Sequence, residues 1–569
     1  MGRKKLNLGY SDFKGMIEGN YYYVDKSMFI DEIINSESAV MLIPRPRRFG
    51  KTLNLSMLRY FFSNEDKENK KLFHELKIWQ TADEIKQHCC KYPVIYLTFK
   101  DVKGDDWEST RNLLYNEIIR EYTIHDYLLT SNCLKESELQ FYKEIINKQG
   151  DLSNYENSLI RLSVFLNRYY HQKVVILIDE YDTPIHAGYK KFYTEIVSFM
   201  RNLMSGAFKD NNHLYKGVIT GILRVSKESI FSGFNNLTVS TILGNEFIDT
   251  FGFTSEEVKG IINDFEILEK NEEVQKWYNG YKFGDITDIY NPWSVLNYAR
   301  NHKNGFKPYW VNTSSDSLLK DQISGRDAQM IRDAINKLVE GNTITKVLNE
   351  NFVFSDFEKN QDLFWTLLTF SGYLTVVRQK DRLNYELKIP NYEVKTLFQD
   401  IILNWICVEV RVKQNQLIET CEYLKNNEID RFEEGFREIM GDTFSYFDTQ
   451  NKPEYVYQAY VLGLLAVLGD DYIIKSNRES GSGRYDIMLI PHDKENYGIV
   501  IEIKQLPMVN NETEDDLRVR VTNKIKEAKQ QIEDNKYYKE LVANKIEKII
   551  KLPIVFVGKE PYIVIPKSE

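Results

Sequence analysis

Two groups of residues in this chain have the types and spacing that phosphate chemistry needs. The first consists of the triplet Gly50–Thr52, which reads GKT, and the pair Asp179-Glu180. The second consists of Asp486 and the triplet Glu502–Lys504, which reads EIK. Lysine and threonine after glycine bind phosphates and magnesium, whereas paired carboxylates beside a lysine hold a divalent metal against a phosphate. The sequence therefore indicates two separate sites, and each depends on the elements that position it.

The triplet Gly50–Thr52 lies between a short apolar run, AVMLIP (39–44), and a segment with helical spacing, LNLSMLRYFF (53–62). Phosphate loops take this strand, loop and helix order because backbone N–H groups of the turn and of the helix start surround the phosphates. Arg45 stands where such a loop normally opens with glycine. Arg47 and Arg48 either add positive charge beside the phosphates or lie on the surface next to the loop.

Four further apolar runs predict the rest of a sheet. They are VIYLTF (94–99), VVILIDE (174–180), GVITGIL (217–223) and TVSTIL (238–243), with helix-like stretches between most of them. This alternation predicts a parallel α/β sheet. Asp179 and Glu180 then stand at the carboxyl end of a buried strand, where such sheets bind ligands.

The chemistry of phosphoryl transfer assigns a role to each of these residues. The loop from Arg47 and Arg48 through Phe49, Gly50, Lys51 and Thr52 would bind ATP, with Lys51 on the β- and γ-phosphates. Thr52 and Asp179 would hold Mg²⁺, and Glu180 would polarise the attacking water. At the end of the fourth strand, Thr220 is a candidate sensor of the γ-phosphate. Arg224 is either a charge stabiliser or a member of a structural ion pair.

The C-terminal run GSGRYDIMLIPHDKENYGIVIEIK (481–504) predicts two strands joined by a polar turn. Alternation along a strand sends Glu502 and Lys504 to the same face. If the strands pair, Asp486 approaches Glu502, and the two carboxylates can share Mg²⁺ or Mn²⁺ while Lys504 lies beside the attacking water or the scissile phosphate. This pattern predicts metal-assisted phosphodiester hydrolysis, and a solvated hairpin is the alternative.

Predicted helices flank these strands at 453–469 and 523–541, and another apolar strand follows at 552–558. The polar, acidic segment 506–520 has the composition of an insertion that could cover the site.

Seven motifs together resemble the AAA-ATPase-like family whose members carry a C-terminal PD-(D/E)XK nuclease-like domain. The motifs are YYVDKSMFI, RPRRFGKTL, LIDEYDTPI, FSGFNNLTVSTIL, FGFTSEEV, WYNGYKFG and YNPWSV. The resemblance implies that the arginine pair before the Gly-Lys motif is a usual form of the loop. It also implies an additional carboxylate near the nuclease core, for which Glu454 and Glu479 are the candidates. Gln531 and Tyr537 either position substrate or serve as ordinary surface and packing residues.

The predicted fold class is α/β, with an N-terminal P-loop NTPase parallel sheet, a helical middle region and a C-terminal restriction-endonuclease-like domain of the PD-(D/E)XK type. We expect an ATPase domain over 1–302, a helical or winged coupling region over 303–449 and a nuclease-like domain over 450–569. No metal-binding or nucleophile motif stands out in the middle region.

Composition limits the classes of function. A net charge of −9 over 569 residues argues against general coating of nucleic acid, which needs lysine and arginine. The five cysteines lack CxxC spacing, which favours reduced thiols over a zinc cage or a disulfide framework. Without a signal peptide or a membrane-length apolar run, we expect a cytoplasmic protein.

The function expected from these features is an ATP-regulated, metal-dependent nuclease with ATPase activity, DNA being the favoured nucleic acid. The alternative is an ATP-dependent switch or adaptor whose nuclease-like domain binds without cutting. An NTP-driven translocase fits less well because no series of helicase motifs is recognisable. A homo-oligomer is left open.

Overall fold

The fold is given by a computed structural model, which describes residues 4–224, 230–231, 237–267, 270–310, 329–350, 362–399, 401, 414–443, 454–480, 483–509, 512–558 and 560–564. The chain forms two compact units. The first comprises Met1–Asn312 and Thr345–Glu393, and the second comprises Thr313–Ile344 and Val394–Glu569.

A five-stranded parallel sheet forms the centre of the first unit. Its strands are β1 (Val40–Pro44), β2 (Val94–Thr98), β3 (Val174–Asp179), β4 (Leu214–Gly221) and β5 (Leu237–Val239), in the order β2-β3-β4-β1-β5. Both β1 and β3 are buried along their whole length, as expected for apolar strands covered on two faces. The predicted parallel α/β sheet is thus confirmed. Because β4 lies between β1 and β3, the carboxyl ends of these three strands meet at one edge.

Helices connect and cover the strands of this sheet. The loop after β1 leads into α3, and α5 begins at Trp107 behind a capping box formed by Asp106 and Ser109. Up to residue 310, the described α-helices of the first unit are α1 (Phe13–Glu18), α2 (Met28–Asn35), α3 (Lys51–Phe62), α4 (Asp83–Lys86), α5 (Trp107–Ile124), α6 (Glu136–Ile146), α7 (Leu152–Glu156), α8 (Ser158–Tyr170), α9 (Thr183–Gly188), α10 (Tyr193–Phe208), α11 (Ser255–Asp264), α12 (Asn271–Tyr278) and α13 (Pro292–Asn301). Short 3₁₀ helices occupy Lys67–Phe73, Lys77–Gln80, Asp126–Thr130 and His302–Asn304.

A second apolar cluster of the first unit joins α11, α12 and α13, with Tyr278 and Tyr298 among its buried side chains. The antiparallel pair β6 (Tyr281–Phe283) and β7 (Ile286–Ile289) follows α12. This cluster brings the segment around Trp310 into the first unit.

The middle of the chain contains helices together with a small sheet. Its described helices include α14 (Gln329–Val339), α15 (Asp362–Ser371), α16 (Gln414–Lys425) and α17 (Ile429–Thr443), and residues 392–399 are helical as well. The strands β8 (Ile344–Val347), β9 (Thr375–Gln379) and β10 (Asn384–Lys388) form a three-stranded sheet in the order β8-β10-β9. The predicted helical middle region is confirmed.

The second unit contains a mixed five-stranded sheet with an interleaved helix. Its strands are β11 (Tyr472–Ser480), β12 (Gly483–Pro491), β13 (Gly498–Leu506), β14 (Ile549–Val557) and β15 (Glu560–Tyr562), in chain order across the sheet. Only β13 and β14 pair in parallel; the other neighbours are antiparallel. The helices here are α18 (Glu454–Leu465), α19 (Glu514–Asp534) and α20 (Lys539–Ala543), with a 3₁₀ helix at Ala466–Asp470.

Helix α19 supplies the crossover between the two parallel strands. Val521 and Ile525 pack on β14, and Ile532 packs with Tyr485 and Met488 of β12. The helix begins at Glu514, behind Thr513, whose hydroxyl accepts from the Asp516 N–H. The second half of the acidic segment predicted as an insertion, residues 514–520, therefore forms the first two turns of this helix, where carboxylates are favoured.

Among the residues that the structure describes, no helix is both long enough and apolar enough to cross a membrane.

Candidate functional site

The loop between β1 and α3 has the backbone form of an anion-binding turn. Arg48 has φ of 66° and Gly50 has φ of 88°. Gly50 is the N-cap of α3, so the helix begins at Lys51 with its free N–H groups next to the loop. Left-handed residues within such a turn aim successive N–H groups toward one point, which suits a phosphate.

Arg45, at the position usually held by glycine, is a buried structural residue. Its guanidinium donates to the carbonyl oxygens of Ser240 at 2.6 Å, Glu246 at 3.1 Å and Phe247 at 3.1 Å. Burial lowers the pKa of the Arg45 guanidinium. Arg45 therefore ties the start of the loop to the chain that follows β5, and its charge is already engaged by main-chain acceptors.

Lys51 is almost fully buried, with 5% of its surface exposed. Its ammonium donates to the carbonyl oxygens of Arg45 at 3.1 Å and Pro46 at 3.0 Å, across the mouth of the loop. Burial lowers the pKa of Lys51, while the carboxylates of Glu180 and Asp179 oppose the shift. A phosphate would be a stronger acceptor than these carbonyls, because hydrogen bonds between ionised groups are the strong ones.

Asp179 joins the ends of three elements. Its Oδ2 accepts from the Thr52 hydroxyl of α3 at 2.7 Å, and its Oδ1 accepts from the Thr220 hydroxyl of β4 at 2.7 Å. The carboxylate has no exposed surface, and burial raises its pKa, with Glu180 adding to the shift and the two threonines opposing it. A carboxylate and a threonine hydroxyl side by side are the hard oxygen ligands that Mg²⁺ prefers, so these residues fit that ion.

Glu180 follows with a left-handed backbone, φ 51°, which turns its side chain away from the line of β3. Its Oε2 accepts from the Thr183 hydroxyl at 3.1 Å. The Glu180 carboxylate also acts on the pKa values of Lys51 and Arg48, so it faces the phosphate loop. This position suits a group that orients water beside a bound phosphate.

The other residues predicted around the loop divide by what their side chains touch. The Arg48 guanidinium lies over the Trp293 ring, 4.2 Å from its centroid. Phe49 is buried and packs edge-on against Tyr281, so only its main chain can reach a phosphate. The Arg47 carbonyl accepts from the Trp310 indole N–H at 3.1 Å.

Arg224 comes after β4 and is half-buried, at the end of a described range. Asp182, which the sequence analysis did not single out, organises the chain just before it. Its Oδ2 accepts from the main-chain N–H groups of Ile222 at 2.8 Å and Leu223 at 3.0 Å. The signal in the sequence was the third acidic residue of the run DEYD, two positions after Glu180.

In the second unit, β12 and β13 separate at the predicted metal site. Their ladder pairs Leu489 with Ile499, Met488 with Val500 and Ile487 with Ile501, and it stops there. Asp486 and Glu502 are the next residues along the two strands. Beyond this point β12 continues beside β11, and β13 continues beside β14. The two carboxylates therefore stand where the strands fork.

Each side chain at the fork has a defined contact. The Asp486 Oδ2 accepts from the main-chain N–H of Ile503 at 2.7 Å. The Lys504 ammonium donates to the Glu502 Oε1 at 2.7 Å, as their alternation on one face predicts. Glu502 is 2% exposed, which places its charge in a low-dielectric setting beside the lysine.

Two carboxylates and a lysine suit a divalent metal whose remaining ligands come from water and a substrate phosphate, as is usual for Mg²⁺. Among the described residues, no group of three or more histidine, cysteine, aspartate or glutamate side chains has an arrangement that could hold a metal ion.

Helix α18 contributes a contact that the sequence analysis missed. The Gln458 amide donates to the Asp486 main-chain carbonyl at 2.9 Å. The predicted helix carboxylates, Glu454 and Glu479, have side chains outside the described part of the structure, although Glu454 begins α18 and Glu479 lies on β11. Gln458 could have been found only by knowing that α18 packs against β12.

Gln531 and Tyr537 have packing and hydrogen-bonding roles in the structure. The Gln531 amide donates to the Tyr537 hydroxyl at 3.1 Å, and Tyr537 is buried in the cluster that contains Tyr485.

In comparisons with known proteins, two family models match separate parts of the chain, one containing each candidate site. Residues 7–231 match the family model described as a predicted AAA-ATPase, AAA-ATPase-like. Residues 452–565 match a model of the PD-(D/E)XK nuclease superfamily. An uncharacterized protein in the vnfD 5′ region of Azotobacter chroococcum mcd 1 is 28% identical over 410 residues, which cover 71% of this chain and 70% of that protein.

Among solved structures, the Walker-type ATPase PABY2304 of Pyrococcus abyssi gives a TM-score of 0.35 at 12% identity, covering 66% of this chain and 94% of that one. The two family matches include both groups of candidate site residues. The nucleotide-site residues, up to Arg224, lie within the first match, and the nuclease-site residues, from Glu454 onward, lie within the second. The chain thus joins an N-terminal domain of the AAA-ATPase-like family to a C-terminal domain of the PD-(D/E)XK nuclease superfamily.

Proposed function

We propose that this protein is an ATP-regulated, metal-dependent nuclease that cleaves phosphodiester bonds in nucleic acid, with DNA the favoured substrate. One observation carries the proposal: Asp486 and Glu502 stand together at the fork of β12 and β13, with Lys504 bonded to Glu502 at 2.7 Å. The ATPase-like domain on the same chain supplies the means of control. The proposal includes the domain boundaries predicted from the sequence, which place the ATPase domain at 1–302, the coupling region at 303–449 and the nuclease-like domain at 450–569.

At the nucleotide site, the loop N–H groups and Lys51 bind the phosphates of ATP. Thr52 and Asp179 would hold Mg²⁺, and Thr220 keeps the Asp179 carboxylate oriented through its 2.7 Å bond. Glu180 orients the attacking water, since it is the partly exposed carboxylate that faces Lys51. These residues bind and position; bound magnesium supplies neutralisation of the phosphate charge.

At the fork, Asp486 and Glu502 would hold Mg²⁺ or Mn²⁺, which supplies Lewis acidity and an acidified water when bound. Lys504 lies beside Glu502, to which it donates at 2.7 Å, so its ammonium can balance the charge of the scissile phosphate. The Ile503 N–H fixes the Asp486 carboxylate at 2.7 Å, and Gln458 fixes its main chain.

The test is cleavage of labelled single- and double-stranded DNA and RNA by the full-length protein, in Mg²⁺ or Mn²⁺, with and without ATP. Asp486→Asn should lower cleavage by at least about a hundredfold, the scale on which lost transition-state stabilisation acts. Asp493→Asn, in the turn between β12 and β13, is the matched control and should cleave like wild type. Equal cleavage by wild type and Asp486→Asn would refute the assignment of the site.

The same assay tests regulation by nucleotide. Lys51→Ala should abolish the effect of ATP on cleavage, whereas Lys71→Ala, an exposed lysine whose side chain is 71% accessible, should leave it intact. If cleavage by the Lys51→Ala variant still responds to ATP, the nuclease is not regulated through the proposed nucleotide site.

A second candidate function is an ATP-dependent switch or adaptor whose nuclease-like domain binds without cutting. It is favoured by the net charge of −9, because an acidic chain is not generally attracted to nucleic-acid phosphates. Nucleic-acid binding without cleavage in every metal, with ATP binding retained, would support this alternative.

A further inference from the structure

The chain passes between its two units at three points, after Asn312, after Ile344 and after Glu393. Residues next to two of these points are bonded to each other. The main-chain N–H of Trp310 donates to the Glu393 Oε1 at 2.6 Å. The Ser294 hydroxyl at the start of α13 donates to the Glu393 Oε2 at 2.7 Å. Glu393 therefore fixes together two segments of the first unit close to the points where the chain leaves it, after Asn312 and after Glu393.

The same tryptophan contacts the phosphate loop. Its indole N–H donates to the Arg47 carbonyl at 3.1 Å, and its ring packs on Tyr373 with centroids 5.0 Å apart. Beside it, Gly372 has φ of 93°, and a Cβ at this position would lie 3.0 Å from the Pro46 side chain. The segment Pro46-Arg47 is thus held from the side on which Trp310 and Gly372 lie.

This contact controls the direction of a loop N–H. The carbonyl and N–H of a trans peptide point to opposite sides, and the chain contains no cis peptide among its described residues. With the Arg47 carbonyl directed at Trp310, the Arg48 N–H points away from Trp310. The Trp310 indole contacts the carbonyl of this peptide. A phosphate that binds the loop N–H groups would therefore act on the same peptide group from its other side.

We propose that Trp310 and Glu393 are positioning residues that transmit phosphate binding at the loop to the two chain segments leaving the first unit. The inference rests on the proposed nucleotide binding. A change in the Arg47–Arg48 peptide on binding alters the Trp310 contact, Trp310 shifts the Glu393 carboxylate through its main-chain N–H, and Val394 follows directly in the chain. Coupling of this kind is reciprocal, so a change at Glu393 alters nucleotide affinity in turn.

The experiment is hydrogen exchange by mass spectrometry on the full-length protein, with and without saturating adenosine 5′-(β,γ-imido)triphosphate and Mg²⁺. The readout is the exchange of α16 and α17 in the second unit. Trp310→Phe keeps a ring against Tyr373 but removes the N–H. Trp365→Phe is the matched control, because Trp365 is also 1% exposed and packs on Phe364 within the first unit.

In wild type and Trp365→Phe, the nucleotide should change exchange in α16 and α17. In Trp310→Phe that response should disappear at saturation, and nucleotide affinity should change by roughly fivefold or more. A full response in Trp310→Phe overturns the inference, and so does a wild type that binds the nucleotide without any response in the second unit. A wild type that binds no nucleotide overturns the proposed function itself, which distinguishes the two failures.

A second pair of variants keeps the test decisive if Trp310→Phe does not fold. Glu393→Gln retains an acceptor oxygen for the Trp310 N–H, whereas Glu393→Met does not. The response should survive in Glu393→Gln and be lost in Glu393→Met. The same response in both variants contradicts the role of Glu393.

Discussion

The Thr52 hydroxyl donates to the Asp179 Oδ2 at 2.7 Å, and this bond joins the first turn of α3 to the end of β3. Thr220 occupies the other oxygen of the same carboxylate at 2.7 Å. The order β3-β4-β1 makes this possible, because it brings the end of β4 between the phosphate loop and Asp179. One buried carboxylate therefore links the first turn of α3 to the ends of β3 and β4.

Thr52→Val should lower Mg²⁺-dependent ATP turnover about tenfold to a hundredfold. The variant keeps the shape of threonine but removes a hydrogen bond to a charged group, worth about 1.5–3 kcal/mol, together with a metal ligand. Thr52→Ser, which keeps the hydroxyl, should stay within about threefold of wild type. Phosphate release at saturating ATP measures both, and wild-type turnover in Thr52→Val would show that Thr52 does not hold the metal.

Arg45→Lys should reduce the free energy of unfolding by about 2–4 kcal/mol, because one ammonium cannot reach carbonyls that a guanidinium fork reaches together. Arg120→Lys, at a half-exposed arginine, is the control and should change stability by less than about 0.5 kcal/mol. Urea unfolding of the full-length protein gives both values. Unchanged stability of Arg45→Lys with a large loss of ATP affinity would instead place Arg45 on the phosphates.

The loop around Arg45 shows which features could be predicted from the sequence and which could not. The strand, loop and helix order around Gly50 was predictable, since it depends on local apolar runs and on one triplet. The direction of Arg45 was not, because its acceptors on Ser240, Glu246 and Phe247 lie about 200 residues away in the chain. Contacts across such separations depend on strand order, which composition and periodicity do not determine.

The second unit shows the same division. Alternation was enough to put Glu502 and Lys504 on one face, and they are bonded to each other. The strand β11 went unpredicted because its residues 472–480, YIIKSNRES, become polar toward the end and carry no clear alternation. The fork at Asp486 depends on where the β12–β13 ladder stops, which no local pattern records.

Gln458→Leu should lower the rate of nucleic-acid cleavage about tenfold with little change in KM. The side chain acts through the Asp486 main chain, to which its amide donates at 2.9 Å, and a small displacement of a catalytic group costs rate rather than binding. Single-turnover cleavage separates the two parameters.

The matched control for that variant is Gln530→Leu, whose amide donates to Asp534 on the exposed side of α19. It should cleave at the wild-type rate. Identical kinetics of the Gln458 and Gln530 variants would show that Gln458 only packs.

Glu393 is a fully buried carboxyl group, and burial raises its pKa to about 7 in spite of hydrogen bonds from Trp310 and Ser294. The titratable side chains around it are the phenols of Tyr278, Tyr281 and Tyr309. Burial raises the pKa values of these phenols, so they stay neutral where Glu393 titrates. Glu32 shares the behaviour, since burial raises its pKa to about 7 as well.

The stability of the first unit should therefore fall as pH rises toward 7. In the unfolded chain a glutamate loses its proton near its ordinary pKa of 4.5, whereas folded Glu393 keeps its proton up to about pH 7. Folding takes up a proton in this window, so the free energy of unfolding declines by up to about 1.4 kcal/mol per pH unit and levels off above it. Glu393→Gln removes this contribution and should flatten the profile measured by calorimetry between pH 5 and 8, and Glu32→Gln should flatten what remains. A Glu393→Gln profile as steep as that of wild type would mean that Glu393 is already ionised in the folded protein.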